Sequence, residues 1–175
     1  MVRTRDDEGG ESTARRVTFE ERQTLPSWFG PAVVVLSVPT LAVTVVVVFE
    51  AEGATRESLA LGVLLALVVL GPLPLLFRSA LRTEVRADGV FFRFSPFHLS
   101  DRHVPFEEIE DVRRSERRAY NFGLKRTRWG WEYRPNSTEG VEIYRAAGPA
   151  IFLGTERPHE LREAIEAGMR RTGSE

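Results

Sequence analysis

Two stretches of this chain contain no ionisable side chain, although charged residues make up 28 % of its 175 positions. The first, Trp28 to Phe49, reads WFGPAVVVLSVPTLAVTVVVVF over 22 residues. The second, Leu59 to Phe77, reads LALGVLLALVVLGPLPLLF over 19. At about 1.5 Å rise per residue, either run is long enough for a hydrocarbon core of roughly 30 Å. A Val-rich parallel strand or a buried core helix is the competing assignment. Strands end after about 5 or 6 residues, however, and a core helix shows a polar stripe that neither run has. A cleaved signal peptide fits poorly, because the first run begins near residue 28, exceeds the length of a signal core and is followed by a second run. Both are read as transmembrane helices, 28–49 and 59–77, forming a hairpin over 28–78. Pro39, Pro72 and Pro74 are expected to kink these helices, as bilayer helices tolerate when neighbours re-satisfy the freed carbonyls. With no charge at membrane depth, the hairpin offers no proton relay or ion ligand for a carrier.

Orientation follows from the basic residues beside the spans. Arg15, Arg16 and Arg22 precede the first, and Arg78, Arg82, Arg86 and Arg93 follow the second, whereas the connection EAEGATRES holds only Arg56 among three glutamates. The bias towards cytoplasmic Lys and Arg places both termini in the cytoplasm of a multi-pass protein of the cell membrane. Trp28 and Phe29 then sit at the inner interface. Residues 1–27 carry five arginines and six acids with few large apolar groups, so the segment is expected to be largely disordered to about residue 16. A short interfacial turn is expected over Thr18 to Gln23.

Residues 79–175 are enough for one small cytoplasmic domain. Arg82 to Arg86 and Val90 to Phe94 read as strands around the turn Ala87-Asp88-Gly89. Phe97-His98-Leu99 and Arg102 to Val104 are expected to continue the meander. The spacing of Phe106, Ile109 and Val112 suits one helical turn followed by a strand. Alternation from Trp129 to Tyr133 puts Trp129, Trp131 and Tyr133 on one face. Arg134 to Gly140 reads as a plain turn, followed by strands around Val141 to Tyr144 and Ala150 to Leu153. The last element is a helix over 158–171, with Pro158 in its first turn and Arg170 and Arg171 late, where the dipole favours cations. Leu161, Ala164, Ile165, Gly168 and Met169 make one apolar stripe, which is expected to close one side of a curved antiparallel sheet.

Short strands followed by one amphipathic helix is the element order of pleckstrin-homology-like (PH-like) barrels. Thr83-Glu84-Val85 with Asp88-Gly89-Val90, Pro105-Phe106-Glu107-Glu108-Ile109, and Gly140-Val141 leading to Gly154-Thr155-Glu156-Arg157-Pro158 extend the likeness. In these stretches the chain resembles the bacterial PH-like domains found behind two transmembrane helices in uncharacterised prokaryotic membrane proteins. The resemblance implies an α+β membrane protein, a two-helix transmembrane hairpin followed by a PH-like antiparallel β-barrel or sheet with a C-terminal helix. It also implies a non-enzymatic, membrane-tethered binding or assembly module. Lipid-binding eukaryotic PH domains use a basic loop between their first two strands; the corresponding turn Ala87-Asp88-Gly89 is short and acidic, so no phosphoinositide site is expected there.

No catalytic constellation is evident. The chain has no cysteine, which excludes a disulfide scaffold, a Cys-type zinc site and a thiol nucleophile. GxxxxGK[ST], GxGxxG and GxSxG are missing, and His98, His103 and His159 lack metal-ligand spacing and read as surface residues. Glu107, Glu108, Glu110 and Asp111 read as solvated acids, so no catalytic residue, metal or cofactor is assigned. Asp111 to Arg134 is different. It carries eight basic residues against three acids, in a chain of net charge −1, interleaved with Tyr120, Phe122, Trp129, Trp131 and Tyr133. Near an anionic leaflet a basic side chain contributes about 1 kcal/mol. Arg113, Arg114, Arg117, Arg118, Lys125, Arg126 and Arg128 are therefore the candidate site for anionic lipid headgroups or an acidic partner. The alternative is that the rings form the core and the arginines its wet face. Tethering to a membrane argues against nucleic acid. The expected role is an interaction module that binds protein partners, itself as a homo-oligomer, other membrane proteins, or the anionic inner membrane face. The second assignment is an accessory subunit of a transport or envelope-stress assembly, with Gly62, Gly71 and Pro72 packing against partner helices.

Overall fold

The computed structural model describes residues 17–50, 56–118 and 123–174. The expected disorder up to residue 16, and the rings of Tyr120 and Phe122, lie outside them. The chain divides into two compact units: Leu25–Ser79, and the residues that flank it on both sides in the sequence.

In the first unit, α1 (Phe29–Glu50) and α2 (Arg56–Leu70) are followed by the short α3 (Leu73–Phe77). Phe29–Val46 and Arg56–Phe77 are long and apolar enough to span a membrane, and neither stretch is buried inside the molecule. A core helix of a soluble protein would be covered, so the exposure of this surface supports the membrane assignment by a second route. The expected kink in the second run is a break. α2 closes with the Gly71 amide on the Leu67 carbonyl (2.8 Å), and Pro72 and Pro74, which lack amide donors, open α3 instead of continuing α2. Two hydroxyls of α1 are satisfied within the helix, Ser37 donating to Val33 O (2.7 Å) and Thr44 to Thr40 O (2.8 Å). Gly62 is buried, and a Cβ there would come 2.8 Å from Val48 Cγ2. Its smallness is thus used inside the hairpin, where α2 meets α1.

The second unit is built on two sheets. The first has the order β1-β2-β3-β4, from β1 (Phe19–Thr24), β2 (Ala80–Arg86), β3 (Gly89–Ser95) and β4 (Arg102–Pro105). After a 3-10 turn at Phe106–Glu108 come β5 (Ile109–Glu116), β6 (Gly123–Arg126), β7 (Gly130–Arg134), β8 (Glu139–Arg145) and β9 (Ala150–Gly154), in the order β5-β8-β9-β7-β6. Of the expected antiparallel barrel or sheet, the barrel is corrected and sheets are found. The two sheets do not join into a closed barrel among the described residues, and β9 enters between β8 and β7, where it runs parallel to β7. The helix α4 (Pro158–Thr172) lies against both sheets, meeting β1, β2, β3, β5 and β8.

Period-two alternation explains the core. Leu81 and Val85 on β2, Val90, Phe92 and Phe94 on β3, Val141 and Ile143 on β8, and Ile151 and Leu153 on β9 are buried in one cluster with Leu161 and Ile165 of α4. Each such side chain contributes about 1.5–3 kcal/mol on full burial. Phe106, Ile109 and Val112 are all buried, so the turn-then-strand expectation holds there. Phe97 and Leu99, expected in a strand, instead lie in the β3–β4 loop.

The segment over Thr18 to Gln23 is an edge strand, not an interfacial turn. Phe19 is buried beneath the Arg157 guanidinium, 4.7 Å from its ring centre. The Glu21 carboxylate accepts from the Thr155 hydroxyl and from the Glu156 amide (2.9 Å). Arg157 donates to the Glu20 carbonyl, and the Thr18 amide to Val85 O (2.8 Å). The whole first unit is therefore inserted between two neighbouring strands, whose ends Thr24 and Ala80 are directly paired.

Candidate functional site

The seven basic candidates do not form one patch. β5 and β6 are the two edges of the five-stranded sheet, four strand spacings or roughly 19 Å apart. One row of the register crosses the outer face as Arg113, Glu142, Phe152, Glu132 and Lys125. Its cations at the edges alternate with carboxylates further in, around a ring at the centre.

Arg117 lies over that centre. Its guanidinium is 4.8 Å from the Phe152 ring centre, ion-paired with Glu132 (3.3 Å) and Glu142 (3.0 Å), and it donates to Ser115 Oγ (2.6 Å). Two carboxylates that share one face would repel each other without it, so Arg117 is a structural cation. Substituting Arg117→Met is expected to lower stability by about 2 kcal/mol, from lost charged hydrogen bonds. Thermal unfolding in detergent checks this, and an unchanged midpoint would refute the structural role. Arg113 is clamped on Asp111 (2.6 Å) and lies over Tyr144; this hydrogen bond holds the Asp111 carboxyl below its usual range. Arg114 meets the His159 ring and Glu139 (3.7 Å). The Arg118 carbonyl accepts from Arg134 (3.1 Å). Arg134, assigned to a plain turn from the sequence, ends β7 at 1 % exposure, and burial lowers its pKa.

Lys125, Arg126 and Arg128 are different. They are exposed on β6 and in the turn before β7. That turn is tight: the Thr127 amide donates to Gly130 O (2.8 Å), while Thr127 Oγ1 accepts from the amides of Trp129 (3.3 Å) and Gly130 (3.2 Å). At Gly130 a Cβ would lie 1.8 Å from Ala150 O, so only glycine lets β7 start against β9. The turn turns Trp129 outwards. Trp131 and Tyr133 pair with Ile151 and Leu153 and pack on the core, but Trp129 precedes the strand and is 69 % exposed, with Arg128 stacked 4.7 Å from its ring centre. Beside it opens a cleft of about 260 Å³ lined by Glu110, Tyr144, Arg145 and Pro149. Alternation put Trp129 on one face with Trp131 and Tyr133, but β7 begins at Gly130, so Trp129 belongs to the preceding turn.

The histidines are spread over three places. His98 is half-buried, its ring against Tyr133 (5.4 Å), and burial lowers its pKa, so it is not the surface residue expected. His103 stacks on Phe91 (4.2 Å), and His159 faces Arg114. Among the described residues no His, Asp and Glu side chains converge as a metal-ligand set. No protein-family model matches the chain, and no curated protein matches it either, so the geometry of the Lys125–Trp129 corner carries the functional argument.

Proposed function

We propose that this chain is a membrane-anchored interaction module that works by binding and not by catalysis. The two apolar helices cross the cell membrane as a hairpin, and both termini lie in the cytoplasm. A PH-like reading of the soluble unit is supported by its run of short strands and its single terminal helix laid against both sheets. The observation that carries the function is the corner Lys125, Arg126, Arg128 and Trp129: exposed cations and an exposed indole beside a cleft, at one edge of a sheet whose outer face has Arg113 and Arg117 matched by Glu132, Glu142 and Asp111. Trp and Arg are the residue types that dominate binding energy at protein interfaces, and a cationic rim selects an acidic partner.

A photo-crosslinking amino acid at Trp129, in the full chain in native membranes, tests this. The expected result is a discrete protein adduct that is lost when Lys125, Arg126 and Arg128 are replaced by Gln, with the unfolding midpoint unchanged. An adduct of twice the chain's mass identifies a second copy as the partner. Adducts with lipid alone, or none beyond those from a probe at Asp88, would refute the reading.

A further inference from the structure

We infer that the end of the first sheet next to the hairpin junction is a second membrane-contact element, in which Phe97 and Leu99 enter the bilayer interface and a row of three arginines engages anionic headgroups. This rests on the reading that the hairpin spans the membrane.

Strand register supplies the placement. Thr24 pairs with Ala80, and Ala80 with Ser95, so three neighbouring strand ends form one edge of the sheet. The chain passes from Thr24 into the apolar hairpin and returns from it at Ala80. The β3–β4 loop leaves Ser95 from the same edge. It carries two large apolar side chains, Phe97 at 57 % and Leu99 at 96 % exposure. Single exposed apolar residues are ordinary on a protein surface. Two on one loop, at the edge to which membrane-length apolar helices are joined, are placed to share the same solvent.

Charge is arranged to the same end. Two residues in from that edge, about 7 Å along the strands, Arg22 faces Arg82 and Arg82 faces Arg93. Like charges directly opposite on neighbouring strands are destabilising. Glu20 faces Glu84 in the next row of that face, and Arg86 beyond it pairs with Glu84 (2.6 Å), so the acids of this face have partners while the row of Arg22, Arg82 and Arg93 holds arginine alone. Glu20 and Glu84 pair with Arg82, and Asp101 lies 3.6 Å from Arg93, but Arg22 has no ion pair among the described residues. An anionic leaflet at this edge supplies the missing counter-charge. The pairing of an apolar insertion with basic side chains is what stable interfacial binding requires.

The chain has no cysteine, so single-cysteine variants can be labelled cleanly with an environment-sensitive fluorophore. The full chain is reconstituted in phosphatidylcholine vesicles with and without phosphatidylglycerol, each carrying a nitroxide quencher near the headgroup. Labels are placed at Leu99→Cys, at Asp88→Cys in the turn at the far end of the same strands, and at Leu64→Cys within α2. The expected result is blue-shifted emission and several-fold stronger quenching at position 99 than at 88. That difference should shrink without phosphatidylglycerol or in the R22Q/R93Q variant. Equal quenching at 99 and 88, with the position 64 label quenched by a tail-borne nitroxide, overturns the inference and leaves the spanning hairpin standing. A position 64 label that escapes the tail-borne quencher overturns the spanning reading, and this inference with it. Quenching at 99 that ignores lipid charge removes the arginine row from the proposal.

Discussion

A protein in which Thr24 is joined to Ala80 by an Asn-Gly turn, replacing the whole of 25–79, is expected to be soluble and folded. The two residues are direct antiparallel partners, and a two-residue turn of the I′ type is the connection that such partners favour. The counterpart, residues 80–175 alone, is expected to fail. It lacks β1, which leaves β2 as a bare edge, uncovers the site of Phe19 and removes Glu21 from the Thr155 hydroxyl and the Glu156 amide. Loss of a buried Phe side chain alone costs about 3–5 kcal/mol, against a total of about 5–15 kcal/mol for a typical domain. Thermal unfolding followed by circular dichroism compares the two proteins, and equal midpoints would show that β1 is dispensable.

The second large effect is expected at Gly168. A Cβ there would come 2.1 Å from Phe106 Cζ, and both residues are buried where α4 crosses the 3-10 turn. Gly168→Val should cost about 3 kcal/mol, at the upper end of the range for overpacking a core. In the spliced unit that is a fall of roughly 10 °C or more in Tm. Glu163→Val, on the exposed face of the same helix, should cost less than about 1 kcal/mol, as helix propensity alone dictates. If the two variants match, the close approach of α4 at Gly168 is not what holds the helix. Because Phe106 and Gly168 are in contact, F106L in the Gly168→Val background should be less than additive.

How much of this was legible in the sequence depended on the range of the interaction. α4 was, because Leu161, Ile165 and Gly168 fall on one helical face and Pro158 marks its start. So were the two apolar runs, whose length and lack of charge need no partner to interpret. β1 was not. FEERQT has one large apolar residue, and its pairing, as well as its anchors at Thr155, Glu156 and Arg157, lies beyond the inserted hairpin. The basic segment was found, but its division was hidden. Nothing in the order of residues shows that Arg117 comes to rest between Glu132 and Glu142 while Arg128 and Trp129 stay in solvent, because that depends on β9 entering between β7 and β8. Trp129 was misplaced for a local reason: strict alternation was extended one residue past the start of β7.

The pairing of β1 with β2 also constrains the order in which the protein can be made. β1 leaves the ribosome before either helix exists, and its partners, Ala80 to Val85, all follow the second helix in the sequence. Until the second helix has been synthesised, Phe19 has no core to enter and the first sheet has no starting edge. Contacts of such long range form late and slowly. A chain that stalls between its two helices therefore carries an unpaired strand, so completion of the two-sheet unit reports that both helices have been made.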